Sequence, residues 1–408
     1  MAGLTDAMVR LNDPKFYHDN PHPVYAEMRE SAPLYWYETG GFWAATTYED
    51  IQYISKETEI FSSASGVLIT DVLNNVDAVT TMFPEGVENF FIADAPRHGE
   101  LRGLVNFAFQ RKRITQLEGT IAAIVERYLD QIQPNTSVDV VSQLSVPVPI
   151  EVIAAFLDLK ELSVEDAFGW SEAVFKMGAD LTEAEYLEIG ASLEGMFQFF
   201  QRVIDDRKDS TTSDFVGTLL ETELDGKKLV DLMVALYCQL LMVAGNETTR
   251  TAISAAVKLF ADYPAQYQKL LEDETLVDSA VEEILRFHNP TLGFMRTAVT
   301  DTVIRDQAIS AGDRIYMIYG AANRDPAVFE RPEEFDISRF RKPFPMHLTF
   351  GFGEHICMGA ALARLELRII LGQLRRRFSG FEVTGNPQRL CSLLGNGWEK
   401  LSVKFMAV

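Results

Sequence analysis

From Leu229 to Tyr263 the sequence keeps a helical apolar pattern for about ten turns, and before Gly245 it is apolar nearly all round. Such a helix is stable only if it runs through the middle of a large fold, with other elements covering it on every side. The remaining sequence supplies those neighbours. Apolar residues three and four apart predict helices over Ile114 to Gln131, Tyr186 to Asp206, Ala265 to Glu272, Leu276 to Arg286 and Ala360 to Phe378. Strand signals cluster in two places. One is Leu34-Tyr-Trp-Tyr and Gly41-Phe-Trp-Ala-Ala-Thr, a hairpin about Thr39-Gly40-Gly41; the other is Thr302-Val-Ile-Arg, Ala308-Ile and Arg314-Ile-Tyr-Met-Ile-Tyr. The expectation is a mainly α fold with a small β-region. No repeat and no linker rich in Gly, Ser or Pro divides the 408 residues.

Charge narrows the function classes. With 37 Lys+Arg against 59 Asp+Glu the net charge is −22, which argues against general binding to nucleic acid or to an anionic membrane. The longest apolar stretch, Leu232 to Gly245, is shorter than the ~18 residues of a membrane span, and Met-Ala-Gly-Leu-Thr-Asp does not read as a signal peptide. A soluble cytoplasmic protein is expected. Three cysteines, Cys238, Cys357 and Cys391, are too few and too scattered for a disulfide framework or a four-thiolate zinc site.

Two segments carry chemistry. Ala244-Gly245-Asn246-Glu247-Thr248-Thr249 places small, acidic and hydroxylated residues inside the apolar helix, and a kink with an exposed face is one reading of it. Phe350-Gly-Phe-Gly-Glu-His-Ile-Cys357-Met-Gly359 is a loop feeding the helix that opens at Ala360. Its glycines allow close backbone approach to a flat partner, while the helix dipole and free amides favour Cys357 as a thiolate able to ligate a metal. A buried inert thiol is the alternative for an isolated Cys.

Phe-x-x-Gly-x-x-x-Cys-x-Gly, matched by Phe350, Gly353, Cys357 and Gly359, resembles the haem-binding loop of the cytochrome P450 family, whose Cys thiolate is the proximal iron ligand. Other segments fit the same resemblance. Glu283-Ile-Leu-Arg286 is similar to the family's Glu-x-x-Arg, and Arg339, after Pro332-Glu-Glu-Phe-Asp-Ile-Ser, stands where its third partner is expected. The Ala244 to Thr249 segment is similar to the family's distal helix motif. On that resemblance Thr248 takes the oxygen-activating role and Glu247 the proton-relay role, Ala244 and Gly245 leave room for a diatomic ligand, and Thr249 is a structural neighbour. Asp94-Ala-Pro-Arg-His98-Gly-Glu-Leu-Arg102 and Phe294-Met-Arg296 match family segments that hold the haem propionates, with His355 as a fourth partner. His18, His22, His288 and His347 match nothing.

The resemblance runs from Asp13-Pro-Lys-Phe to the last strands. It implies the triangular, mainly α prism of the cytochrome P450 fold with a small β-region, built as a single domain over 1–408. The β-rich part is expected at approximately 30–60, 290–320 and 380–408, with the helical part making up the remainder. It implies one haem b and a monooxygenase that inserts one atom of O2 into a small apolar organic molecule: a terpenoid, steroid, fatty acid or aromatic. The two electrons would come from an external [2Fe–2S] or similar ferredoxin and its reductase, since no ferredoxin-like cysteine cluster or dinucleotide fingerprint is present. A monomer without nucleic-acid or membrane partners is expected. Between Ala361 and Arg377 five arginines face the single acid Glu366, and Arg111-Lys112-Arg113 adds a second basic cluster, together a docking face for an acidic ferredoxin. Substrate contacts are expected from Leu240, Val243, Ala244, Leu292, Phe294 and Leu394, within wider stretches that include Gly66 to Phe91 and Phe175 to Leu181. A peroxide-driven or rearranging enzyme and a non-catalytic haem sensor or carrier share the cysteine loop. The Glu247-Thr248 pair favours the monooxygenase.

Overall fold

The structure is a computed structural model and describes residues 4–73, 87–176, 182–209, 214–342 and 345–408. Its axis is the helix Asp231–Asp262, 32 residues without a break. The helix runs unbroken through Ala244–Thr249, where the Thr248 hydroxyl donates to the Ala244 carbonyl at 2.8 Å. Burial along the helix runs opposite to the pattern of hydrophobicity. Every residue from Thr249 to Val257 is buried, whereas Leu236, Gln239, Leu240 and Val243 are partly accessible and Ala244 is exposed. Small Ala252, Ser254, Ala255 and Ala256 let neighbours close in on all sides, while the more apolar half borders open space.

Two helices that the hydrophobic pattern did not reveal complete the packing, Pro147–Leu157 and Val164–Lys176. The first carries Pro147 and Pro149, which read as breakers but sit in the first turn, where amides have no intrahelical partner. It lies so near the central helix that a Cβ on Gly245 would stand 3.2 Å from Ile153 Cδ1. Gly245 therefore serves helix packing, and the room expected for a small ligand falls to Ala244 alone. Glu183–Lys208 starts on a capping box between Thr182 and Glu185, and Ala360–Arg377 and Val277–Phe287 agree with their sequence patterns within about one residue.

The main sheet has the strand order Leu34–Tyr37, Phe42–Ala45, Arg314–Ile318, Gly293–Ala298, Phe61–Ser62. The expected hairpin pairs Trp36 with Trp43, and Arg314–Ile318 joins it in parallel, with Ile315 opposite Trp43. Gly293–Ala298 lies within the expected β-rich stretch 290–320, although burial of nearly all its residues leaves no alternation in the sequence. It holds Arg296 opposite Ile315. A second sheet joins Phe378–Val383, Ser402–Ala407 and Ser137–Asp139, tying the C-terminal residues back onto the helical part. No helix among the described residues is long and apolar enough to cross a membrane.

Candidate active site

The cysteine loop is anchored from behind by a buried charge network. Glu283 and Arg286 are both fully buried and exchange two bonds of 2.8 Å, one turn apart on Val277–Phe287. Arg339 adds its Nε at 3.0 Å from Glu283 Oε2, and the Asp336 amide donates to Oε1 at 2.9 Å. Both guanidinium groups then donate to carbonyls: Arg286 to those of Asn323, Pro332 and Glu334, and Arg339 to those of Glu330, Arg331 and Glu334. One carboxylate thus fixes the path of residues 323–339, the segment leading into the loop.

The loop turns at Gly353 with φ +73°, and a Cβ there would lie 2.3 Å from the Ser55 carbonyl oxygen. The Cys357 amide donates to Phe350 O at 2.8 Å, closing the turn beneath the thiol. Arg364 lies 4.4 Å over the Phe350 ring and binds Glu282 through Nε at 2.6 Å and Nη2 at 2.8 Å; His347 stands 3.2 Å from the same carboxylate. His347 is thereby structural. Burial pushes the Cys357 thiol up, while the amides of Gly359 and Ala360 and the charges of Arg102 and Arg364 pull it down. Burial outweighs that pull, so ionisation needs a bound cation. Cys357 is nevertheless an exposed residue.

Four polar groups border the same loop. His98 and His355 pack with ring centroids 4.1 Å apart, His355 Nε2 meets Ser63 Oγ at 3.2 Å, and Arg102 Nη2 donates to Ile356 O at 2.7 Å. Arg296 is 5% exposed, and its one side-chain bond among the described residues goes to Met295 O at 2.8 Å. Burial, then Arg296, His98 and Arg102, hold the His355 imidazole down to about 2, and burial with Arg102 also lowers His98. Among the described residues no carboxylate is within ion-pair distance of Arg102 or Arg296; His98 has Glu354 at 3.9 Å, and its buried Nε2 has no partner. Asp94, the acid nearest in sequence, is taken by Ser62 Oγ and the Ser63 amide. Buried cations and donors without an acid call for an anionic group.

On the central helix, Glu247 is 2% exposed, and burial pushes its carboxyl up to about 7 against the opposing pull of Arg250. Arg250 is equally enclosed: Nη1 stands 3.0 Å from Glu247 Oε2, Nη2 donates to Trp398 O at 3.2 Å, and the guanidinium lies 5.3 Å over Phe168. Glu247 Oε1 and Thr251 Oγ1 have no partner, and both come near Gly397 of the terminal hairpin. Arg250 is the functional residue that the sequence reading missed, although Glu247-x-x-Arg250 repeats the spacing of Glu283-x-x-Arg286. Thr249 is buried, as expected of a structural neighbour.

Of the substrate candidates, Leu240 and Val243 are partly accessible on the open flank with Ala244, and Phe294 packs edge-on against Phe91 at 5.4 Å. Leu292 donates its amide to Leu394 O at 2.9 Å, joining the strand loop to the terminal hairpin, but its side chain is buried in a cluster with Tyr17, Tyr25 and Tyr316. Residues 74–86 and 177–181, part of the expected contact stretches, lie outside the described residues.

A haem fits this donor set. Cys357 is exposed, the central helix is exposed at Ala244, and Arg102 and Arg296 beside the cysteine loop have no carboxylate within ion-pair distance among the described residues. Comparisons with known proteins agree. The cytochrome P450 family model matches residues 180–395. A methyl-branched lipid omega-hydroxylase of Mycobacterium tuberculosis is 32% identical over 397 residues, 93% of this chain and 90% of the relative. A steroid C26-monooxygenase of Rhodococcus jostii is 31% identical over 410 residues, 97% of this chain and 84% of the relative. Among solved structures, CYP108D1 from Novosphingobium aromaticivorans matches with a TM-score of 0.85 at 27% identity over all of both chains. CYP109E1 from Bacillus megaterium in complex with corticosterone matches with 0.81 at 29% identity, covering 95% of this chain and 98% of that one. By site, fold and relatives alike, the chain belongs to the cytochrome P450 family and is a haem b monooxygenase.

Proposed function

We propose that the enzyme hydroxylates an apolar lipid-like or steroid-like molecule, working as a single catalytic unit with electrons from a separate acidic ferredoxin. The observation that carries this reading is the pair Glu247 and Thr248 beside Ala244, where the central helix is exposed, with burial pushing the Glu247 carboxyl up to about 7. Substrate C–H and O2, with two electrons and two protons, give an alcohol and one water. Haem would be held by Cys357, with His98, Arg102, Arg296 and His355 as the groups able to bind its propionates, and would supply the iron chemistry, with the Cys357 thiolate favouring O–O cleavage. The protein supplies the protons. Glu247 takes up and releases one near pH 7, and its buried Oε1 has no partner among the described residues. Thr248 Oγ1 donates to Ala244 O, which leaves its lone pairs free to accept a hydrogen bond. Leu240, Val243, Ala244 and Phe294 present apolar surface toward the substrate.

The ferredoxin face is narrower than the sequence suggested. Arg364, Arg375 and Arg377 are bound to Glu282, Glu274, Glu126 and Asp130, and Arg113 to Asp158, so those charges are spent inside the protein. Arg368 reaches only Asp278, at 3.9 Å. Among the described residues Arg111, Lys112 and Arg376 have no ion pair, and these make the docking charge.

Turnover with O2, reduced ferredoxin and a lipid or steroid panel tests the reading. Product from wild type is expected, and Thr248→Ala is expected to keep consuming electrons while hydrogen peroxide replaces product. Equal product per electron in Thr248→Ala would remove Thr248 from the relay. Product with peroxide alone, or ligand binding without product, would replace the reading with a peroxide-driven enzyme or a sensor. Reversing Arg111 and Lys112 to Glu should slow ferredoxin-driven reduction and flatten its salt dependence.

A further inference from the structure

A second cleft lies between the N-terminal segment, the end of the central helix, the loop after Val277–Phe287 and the terminal hairpin. It encloses about 340 Å³, within the range of small-molecule sites. Cations line it unevenly: Lys258, Arg324 and Arg389 against the single acid Asp262, in a chain whose net charge is −22. The first two are already paired, Lys258 with Asp262 at 2.5 Å and Arg324 with Glu333. Arg389 is not. Its guanidinium lies 4.6 Å over the Trp398 ring, its one side-chain hydrogen bond among the described residues goes to Asn396 Oδ1, and no carboxylate is within ion-pair distance. Burial alone lowers its pKa to about 10, with no acid acting to restore it.

The remaining wall is built for an organic body. Tyr25 and Phe287 supply buried aromatic surface, and His288 stacks on Trp398 with centroids 4.7 Å apart and planes 18° apart. His22, also in the lining, has a buried Nδ1 with no partner. Burial holds His22 and His288 below the ordinary histidine range, so both are neutral near pH 7 and offer hydrogen bonds without charge. A desolvated guanidinium with a planar fork, no acid, and apolar walls beside it matches a carboxylate on a compact apolar body.

We propose that this cleft is a second small-molecule site, separate from the haem pocket, which takes a small organic carboxylate on Arg389. The carboxylate accepts from the guanidinium nitrogens that Asn396 leaves free, and the ligand body lies against Tyr25 and Phe287.

The test is calorimetric titration of benzoate into the haem-loaded enzyme, with a saturating azole filling the haem pocket. Wild type should bind one benzoate. Arg389→Gln should bind it roughly ten- to a hundredfold more weakly, as expected for loss of a charge-assisted bond. Arg389→Lys, which keeps the charge but not the fork, should fall between. Arg202→Gln, on the helix Glu183–Lys208, should match wild type. Equal affinity in wild type and Arg389→Gln would overturn the proposal. So would absence of binding to wild type, or binding lost whenever the azole is present, which would place benzoate beside the haem. Unchanged haem content and far-ultraviolet circular dichroism in Arg389→Gln would show that its weaker binding is not misfolding.

Discussion

Replacing Arg250 by Gln is expected to move the pH at which the enzyme loses activity on the alkaline side. Glu247 is held near 7 by two opposed effects, burial raising its carboxyl and Arg250 lowering it, with Glu172 a smaller upward push. The Arg250 charge stands 3.0 Å from the carboxylate, and both side chains are 2% exposed, so solvent screens the pair little. An opposite charge at such range lowers a carboxyl by roughly one to three pH units, about 1.4 kcal/mol for each. Glu247 must be protonated to deliver a proton, so hydroxylation falls as pH rises through its pKa. In wild type that limb is expected near pH 7; in Arg250→Gln it should sit roughly one to three units higher. The assay is kcat for product formation between pH 6 and 9.5 with saturating ferredoxin and substrate, and Glu247→Gln identifies the limb by abolishing it. If the limb depends on Glu247 yet stays near pH 7 in Arg250→Gln, the ion pair does not set the relay acid and the reasoning fails.

Removing the Glu283 charge by Gln leaves Arg286 and Arg339 buried without an acid, and should cost roughly 3–5 kcal/mol in denaturant unfolding; an unchanged midpoint would contradict the network. Gly353→Ala sets a Cβ against the Ser55 carbonyl at 2.3 Å and should lower haem retention with little loss of helical circular dichroism; full retention would show the loop has slack. His288 has a folded pKa near 3, set first by burial and then by Arg389, below the ordinary 6.5. The unfolded chain therefore takes up a proton below pH 6.5 that the folded one refuses until about 3, and stability is lost as pH falls across that window. The slope is about 1.4 kcal/mol per pH unit, and His288→Gln should flatten the fall of melting temperature between pH 6.5 and 5.

The sequence was legible where chemistry is local. Cys357, Gly353 and Gly359 lie within one short loop, Glu283 and Arg286 within one turn, and their spacing alone announces a site. Charge balance was less legible, because the partners are remote: Arg377 is neutralised by Glu126 and Asp130, and Arg364 by Glu282, so a run that reads as a basic patch is largely internal. Burial misled in the central helix. Its most apolar half is partly accessible, while Asn246, Glu247, Arg250 and Thr251 lie in the enclosed half, where Val164–Lys176 and the terminal hairpin supply partners to Asn246 and Arg250. Helix Pro147–Leu157 escaped because its first-turn prolines imitate breaks, and strand Gly293–Ala298 was legible only through the family resemblance, since burial erases its alternation.

The most direct measurement is the absorption spectrum of the reduced, haem-loaded enzyme under carbon monoxide, compared with Cys357→Ser. A thiolate at Cys357 predicts the strongly red-shifted band in wild type and its loss in the serine variant. A wild-type spectrum without that band, or a band that survives in Cys357→Ser, would contradict the assignment of Cys357 as the axial ligand.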